Sequence, residues 1–453
     1  MLELDVSNLE TGLSASEWKG RRDAAHRTVE SYKAERLSTF WELIEPAGEP
    51  YLEEVLAAAE AIGSNPDLTH FVNVGIGGSS LGGEALLRAL AHPYQNERPI
   101  EKGFSRYYFP DNVDPETNAG LLDILEPEHT LIHIASKSGS TAETASQMLV
   151  FYEWLKERLG AERARDHLVV STDPASGDLR ALVEERGIRA VTIPPGVGGR
   201  FSVFGSIGLL PLALFGFDAR KFLAGARAVA QRCQGVEDNP ALDLALMLHA
   251  QHADARRNVL VFMSYSDSLA YVGDWFRQLW SESLGKNPAS GSTPLSAVGA
   301  TDQHSQVQLF MEGPDDKAIL FLRTAAFRRD LMLPDGDLKN GSTEYLMGRS
   351  MNELLAVESV ATEKAFSDAG RPSGALSLDS VHEESLGALL YFLQLVTVYA
   401  GAAYGVNPFD QPGVEAGKRL TYGYFGRQGF EEEGAALRAF EKRPRGIVRL
   451  DRR

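Results

Sequence analysis

Cysteine is almost missing from this chain: Cys233 is the only one among 453 residues. A lone thiol can form no intrachain disulfide and no thiolate metal cluster, so stability must come from packing, and a reducing compartment is the simplest setting. Positive charge is scarce as well. Lys and Arg total 45 against 62 Asp and Glu, a formal net charge of −17, which repels nucleic acid unless a local basic patch overrides the field. The only basic cluster is 442–453, with six Lys/Arg residues, Asp451 and Pro444, and it reads as a solvated terminus. No stretch approaches the ~20 apolar residues that a membrane span requires. Met1, Leu2, Glu3, Leu4 and Asp5 make an acidic start without the basic region and apolar run of a secretory signal. A cytoplasmic protein with no membrane and no nucleic-acid partner is therefore expected. No internal repeat and no low-complexity segment stands out.

What is present is an ordinary globular composition, 43 % hydrophobic and 24 % charged, in a chain too long for one simple core. The first 60 residues place Trp18, Tyr32, Leu37, Trp41, Leu52 and Val55 in apolar stripes and predict a helical packing layer. Further on, short apolar runs each end in Gly, Ser or Thr and lead into longer helical patterns. Runs at 71–74, 131–135, 168–171 and 190–193, then at 259–263, 294–298 and 318–322, predict strands. Such runs, buried on both faces with helices between them, imply parallel sheets and two doubly wound α/β units. The expected divisions are a helical segment over 1–60, α/β units over 61–200 and 201–380, and C-terminal helices and tail over 381–453. The glycine-rich, then apolar stretch 196–214 is the natural junction. A helix through Leu386, Leu389, Leu390, Phe392, Leu393, Val396 and Tyr399 is apolar all round, which suggests a buried element.

With so negative a background, an anionic ligand can be held only by focused local donors. Two strand-to-helix loops offer them. The first, 75–83, contains Gly75, Gly77, Gly78, Ser79 and Ser80. The third glycine of a dinucleotide-binding fingerprint would fall at Ser80, which disfavours that cofactor. What remains is a turn that could bring backbone N–H groups toward an anion, or one that only lets helix and strand pack closely. The second loop, Ser136, Lys137, Ser138, Gly139, Ser140 and Thr141, is dense in hydroxyls and carries one ammonium. Ser140 and Glu143 fit a helix capping box. That leaves Ser136, Lys137 and Ser138 unexplained at the sheet edge where ligands collect, so a phosphate cradle is the better reading. Neither Gly285-Lys286 nor Gly417-Lys418 completes a nucleotide-triphosphate loop.

Groups able to move protons are scattered more widely. Gln278 and Glu282 lie four residues apart on one predicted helix face, as a base beside an amide or as a common surface pair. Arg200 follows Gly198 and Gly199, where a ligand could approach the guanidinium or where the Arg could bridge two domains. His304, in Asp302-Gln303-His304-Ser305, could be an ordinary helix-start residue. Gln411 and Lys418 sit in an irregular turn running into a helix, where the Lys could be a surface charge.

Taken in order, GIGGSSLGG, SKSGST, GGRFS, QLWSESLGK, TDQHS and FDQPGVEAGK resemble the glucose-6-phosphate isomerase family, built from two sugar-isomerase-type (SIS) α/β domains. The resemblance spans about 70 to 420 by motif reading. It implies an aldose-ketose isomerase working through a cis-enediolate in glycolysis and gluconeogenesis, with no cofactor and no metal. It implies roles too: Glu282 as base, Arg200 as stabiliser of the enediolate, His304 and Lys418 in ring opening. Gln278 and Gln411 would orient hydroxyls, Gly78 would let the backbone approach the sugar, and Ser79, Ser136, Lys137, Ser138 and Thr141 would hold the phosphate. A homodimer is implied, with His304 donated by the neighbouring subunit. A sugar-phosphate-sensing regulator would need the phosphate loops but not Glu282, Arg200, His304 and Lys418 together. An amidotransferase-type isomerase would need an N-terminal nucleophile, and residues 1–20 contain no Cys.

Overall fold

The computed structural model describes residues 1–443, 445 and 446, so the greater part of the basic stretch 442–453 lies outside the described residues. The chain divides into a large unit, Met1–Phe409, and a small one, Asp410–Arg453. The large unit holds ten strands: β1 Leu2–Asn8, β2 His70–Val74, β3 Arg106–Tyr108, β4 Thr130–Ala135, β5 Leu168–Thr172, β6 Arg189–Thr192, β7 Val259–Ser264, β8 Thr293–Val298, β9 Lys317–Ala326 and β10 Ser373–Ser380. They form two five-stranded sheets, ordered β3-β2-β4-β5-β6 and β1-β10-β9-β7-β8. The first is parallel throughout. In the second, β10, β9, β7 and β8 are parallel.

Two features depart from the expectation. The segment before residue 60 is not wholly helical, because β1 precedes the helices Ala15–Ala34 and Glu49–Gly63. Its outward Glu3, Asp5 and Ser7 alternate with the inward Leu2, Leu4 and Val6, a period of two that marks a half-buried strand. Paired antiparallel to β10, it makes the second sheet a mixed one, with the odd strand at the edge, where such strands are common. Strands β3 and β10 were not legible either: β3 has three residues, and β10 is interrupted by Ser and Gly.

Alternate side chains of the central strands feed different cores. Phe71, Leu131 and Val169 from the first sheet join Leu260, Phe262, Leu320 and Leu322 from the second in one large cluster. Val72, Val74, Ile132, Ile134 and Val170 face a satellite core, and Val261, Met263, Ile319 and Phe321 face another. The Glu383–Tyr404 helix runs through the large cluster and is buried on all sides, as expected. By length and apolar composition it could cross a membrane, contrary to the reading that no stretch comes close. Its most apolar window is 83 % buried inside the protein, so it is a core helix.

In the first sheet the chain moves from β2 outward to β3, then returns to β4 on the other side of β2. The loops after β2 and β4 therefore leave the sheet at the reversal of strand order, the position at which open α/β sheets bind ligands. These are the two hydroxyl-bearing loops singled out from the sequence.

Candidate active site

The loop after β2 begins with a 3₁₀ turn, Gly77–Ser79, before the Leu81–Leu90 helix. Gly77 adopts φ +56°, in the left-handed region that glycine tolerates. Gly78 lies hard against the neighbouring loop: a Cβ there would stand 2.2 Å from the carbonyl carbon of Gly199 and 2.5 Å from the amide nitrogen of Arg200. Ser202 closes this contact, its hydroxyl donating to Gly199 O (2.6 Å) and Gly78 O (3.2 Å). Gly78 is thus explained by two backbones meeting, whereas a Cβ on Gly199 would stand 3.6 Å from the Gly78 backbone, an ordinary contact.

That junction delivers Arg200. Its guanidinium is almost fully buried, a position a cation holds only when its donors are matched. Nε donates to Ser283 Oγ (2.8 Å), Nη2 to the carbonyl of Pro408 (2.6 Å) and Nη1 to Glu282 Oε2 (3.3 Å). Glu282 belongs to the Ala270–Leu284 helix, whose Val272, Trp275, Phe276, Leu279 and Trp280 form the buried face. Gln278 and Glu282 share the half-buried flank, and Gln278 Nε2 donates to Glu282 Oε1 at 3.1 Å. Both carboxylate oxygens are therefore held, one by a buried cation and one by an amide. Gln278 Oε1 is buried with no hydrogen-bond partner among the described residues, and its Nε2 stands 2.8 Å from where a Cβ on Gly77 would be. The sequence-predicted Gly78, Arg200, Gln278 and Glu282 are one cluster.

The hydroxyl loop lies next to it, since β4 neighbours β2. Ser136 Oγ accepts from Gly139 N (3.1 Å), and the Ser138 and Ser140 hydroxyls are 2.8 Å apart. The helix Ala142–Leu159 takes Thr141 as N-cap, without a side-chain cap bond, where Ser140 was expected to open it. The S-x-x-E spacing is one residue out of register with the helix start. Lys137 reaches across to Val197 O (3.1 Å), beside the Gly198-Gly199 turn. Burial holds its ammonium below the usual lysine range, and Asp173 opposes the shift. The Lys137 carbonyl accepts from Thr172 Oγ1 and Asp173 N, which fixes the loop backbone.

His304 ends the 3₁₀ turn Thr301–Gln303 after β8 and is exposed. Among the described residues, no hydrogen bond joins it to Arg200, Gln278 or Glu282. Its loop is anchored by Gln303, whose Nε2 donates to Tyr265 Oη (2.7 Å) and Thr362 Oγ1 (2.9 Å). Gln411 and Lys418 belong to the small unit: Gln411 precedes the turn Pro412–Val414, and Lys418, in the helix Glu415–Tyr424, pairs with Glu415 at 3.0 Å. The reading of the sequence missed Ser202 and Ser283, which have no spacing to betray them. It also missed Asn73, His133 and Ser171, polar residues inside apolar strand runs, where burial alone should have drawn notice.

A family model described as phosphoglucose isomerase matches residues 50–424. The chain belongs to the phosphoglucose isomerase family. It is 46 % identical over 386 residues to glucose-6-phosphate isomerase of Rubrobacter xylanophilus, covering 85 % of this chain and 89 % of that one. Against the enzyme of the same name from Carboxydothermus hydrogenoformans it is 42 % identical over 412 residues, 88 % of each. Among solved structures, a hypothetical protein of Thermus thermophilus superposes with a TM-score of 0.84 at 39 % identity, over 94 % of this chain and all of that one. A glucose-6-phosphate isomerase from Chlamydia trachomatis superposes with a TM-score of 0.74 at 26 % identity, over 86 % of this chain and 76 % of that one. This membership agrees with the motif resemblance and with the paired SIS-type sheets.

Proposed function

We propose that this member of the phosphoglucose isomerase family interconverts glucose 6-phosphate and fructose 6-phosphate in the cytoplasm, with Glu282 as the base. The observation that carries the assignment is the Glu282 carboxylate, held by Arg200 on one oxygen and Gln278 on the other, beside two anion-ready loops. In the open-chain sugar, Glu282 removes the proton from C2, the electron pair shifts to make a cis-enediolate, the hydroxyl proton passes from O2 to the adjacent O1, and the same carboxylate returns the first proton to C1 as the C2 carbonyl forms. C2 is oxidised and C1 reduced within one molecule. Arg200, already desolvated, stabilises the charge developing on the enediolate oxygen, and a cation fixed in a dry site does so without reorganising. Ser79, Ser136, Lys137, Ser138 and Thr141 hold the 6-phosphate, so that remote binding energy positions the reacting carbons. Gly78 carries the turn that brings backbone to the sugar, and Gln278 and Gln411 orient its hydroxyls. His304 and Lys418 exchange protons with the ring oxygen and the C1 hydroxyl during ring opening.

The site is shared across a homodimer in this reading. His304 is exposed, makes no side-chain hydrogen bond among the described residues, and stands on a loop tied to the Met351–Asp368 helix, whose Val357 and Val360 face outward. Uncovered apolar side chains on the helix that anchors this loop suit a subunit contact. The test of the central assignment is Glu282→Gln, assayed from fructose 6-phosphate with mannose 6-phosphate as control. The variant is expected to lose at least ~10²-fold in kcat with little change in KM, the scale of a general base. Near-normal turnover of a folded variant would remove Glu282 from the mechanism.

A further inference from the structure

Beneath the two loops, three polar side chains cross the sheet from strand to strand. Asn73 on β2, His133 on β4 and Ser171 on β5 are all at most 1 % exposed. His133 Nδ1 lies 2.7 Å from Asn73 Oδ1, and His133 Nε2 lies 2.8 Å from Ser171 Oγ. Asn73 Nδ2 donates to the carbonyl of Ser79 at 3.2 Å. At the other end, the carbonyl of Ser171 accepts from Ser136 N at 3.0 Å. The row therefore begins at the first residue of the hydroxyl loop and ends in the glycine turn.

The direction of every bond follows from one atom that can only accept. The Ser79 carbonyl requires the amide nitrogen of Asn73 to face it, which turns Oδ1 toward His133. Nδ1 must then carry the hydrogen, and Nε2 accepts from the Ser171 hydroxyl. Complete burial drives the His133 pKa down to about 3, so the imidazole stays neutral and this tautomer persists. Phe71 stacks on its ring, with centroids 5.9 Å apart, which adds a second restraint on its rotation. A wholly apolar row would pack this sheet as well, and each of these polar groups would be costly if left unmatched. Their presence needs a reason beyond packing.

We infer that His133 is a positioning residue, which through Asn73 fixes the Ser79 carbonyl and so the peptide planes of the glycine turn that faces substrate phosphate. The inference rests on the reading that the loops after β2 and β4 hold that phosphate. His133 touches no substrate. Its effect falls on binding: Ser79 N and Ser80 N already donate within the turn, to Ile76 O (3.1 Å) and Gly77 O (2.9 Å), so a turn free to shift presents its remaining N–H groups and the Ser79 hydroxyl to phosphate for less of the time.

The test compares His133→Leu with His133→Asn and adds Asn73→Asp. Leucine removes both bonds, whereas the amide of asparagine reaches the Nδ1 position and keeps the donor to Asn73. Aspartate at 73 keeps the shape but cannot donate to Ser79 O. Each is assayed for kcat and KM with fructose 6-phosphate, for inhibition by inorganic phosphate and for Tm. His133→Leu and Asn73→Asp are expected to raise KM and the phosphate inhibition constant about tenfold, with kcat within about threefold of wild type, and His133→Asn to restore most of the loss. If His133→Leu does not fold, Asn73→Asp decides alone. A lowered Tm with unchanged KM and phosphate inhibition would make His133 an ordinary core residue and overturn the proposal, as would a fall confined to kcat. Ser138→Ala with Thr141→Ala separates the two readings. If that double variant loses phosphate inhibition while His133→Leu keeps it, the loop assignment stands and the positioning role falls. If the double variant keeps it and His133→Leu loses it, the hydroxyl-loop assignment falls and the glycine turn alone carries the phosphate.

Discussion

Lys137 is the only cation in the two anion-ready loops, and its surroundings make a pH-dependent forecast. Its ammonium is held below the usual lysine range by burial, with Asp173 pulling the other way. Phosphate favours the charged lysine, so the free enzyme must bind phosphate more weakly as rising pH removes that proton, at lower pH than an exposed lysine would allow. A plot of the inhibition constant for inorganic phosphate against pH should therefore turn upward on the alkaline side. Lys137→Met should weaken inhibition at neutral pH by ~10-fold, the scale of one charge-assisted hydrogen bond, and flatten the alkaline limb. Lys137→Arg should keep the neutral value nearer to wild type and delay the limb. A second forecast concerns the hydroxyls that capping leaves unexplained. Ser138→Ala with Thr141→Ala should raise the phosphate inhibition constant while leaving Tm nearly unchanged, because Thr141 makes no cap bond whose loss would loosen the helix. A collapse of Tm with intact inhibition would instead assign the loop a structural role.

The Leu81–Leu90 helix carries a carboxylate that its surroundings disfavour. Glu84 is buried, its pKa pushed up to about 7 by desolvation despite the pairing with Arg88 at 3.1 Å. A carboxyl raised above its unfolded value of about 4.5 costs nothing while protonated in both states. As pH climbs from there toward 7, the unfolded chain releases its proton first and stability falls. Glu84→Gln should abolish that fall, worth up to about 3 kcal/mol at neutral pH, and the difference in Tm between variant and wild type should widen from pH 5 to 8. A different restraint ties the helices Ala219–Arg232 and Glu383–Tyr404. A Cβ on Gly225 would sit 1.8 Å from Glu384 O, and one on Gly387 1.8 Å from Phe222 O. Gly225→Ala should therefore destabilise the fold by about 1–3 kcal/mol or more, read by thermal denaturation. Elements of this kind mark what the sequence could and could not disclose. Strands such as β4 and β5 were legible because they are buried on both faces and punctuated by loop residues. The Gln278 and Glu282 pair was legible because helical spacing forces adjacency. By contrast β10 lacks an unbroken apolar run, and the bonds from Arg200 to Ser283 and Pro408 link positions far apart in the chain. No local pattern encodes which distant carbonyl will close a guanidinium.

At the scale of the whole molecule, the shared-site reading makes a forecast that single substitutions cannot. If His304 serves the neighbouring subunit, a heterodimer of inactive His304→Ala and inactive Glu282→Gln chains contains one site with both lesions and one with neither. Random reassortment makes half the dimers mixed, so about a quarter of wild-type activity should return. If both residues serve one chain's own site, no dimer recovers, and mixtures that exchange subunits yet stay silent would rule out sharing. The antiparallel pairing at the edge of the second sheet has a consequence of another kind, for the order in which the protein can be made. The first sheet lies wholly between His70 and Thr192, so it can close early in synthesis with only modest loop-closure entropy. β1 leaves the ribosome before any of the other described strands, yet its Leu2 is registered against Leu378 of β10 and has no partner until that far strand has emerged. For most of its synthesis the protein carries an unpaired strand ahead of its first sheet, and the outward Glu3 and Asp5 give that waiting edge the charge that discourages it from joining a neighbouring nascent chain.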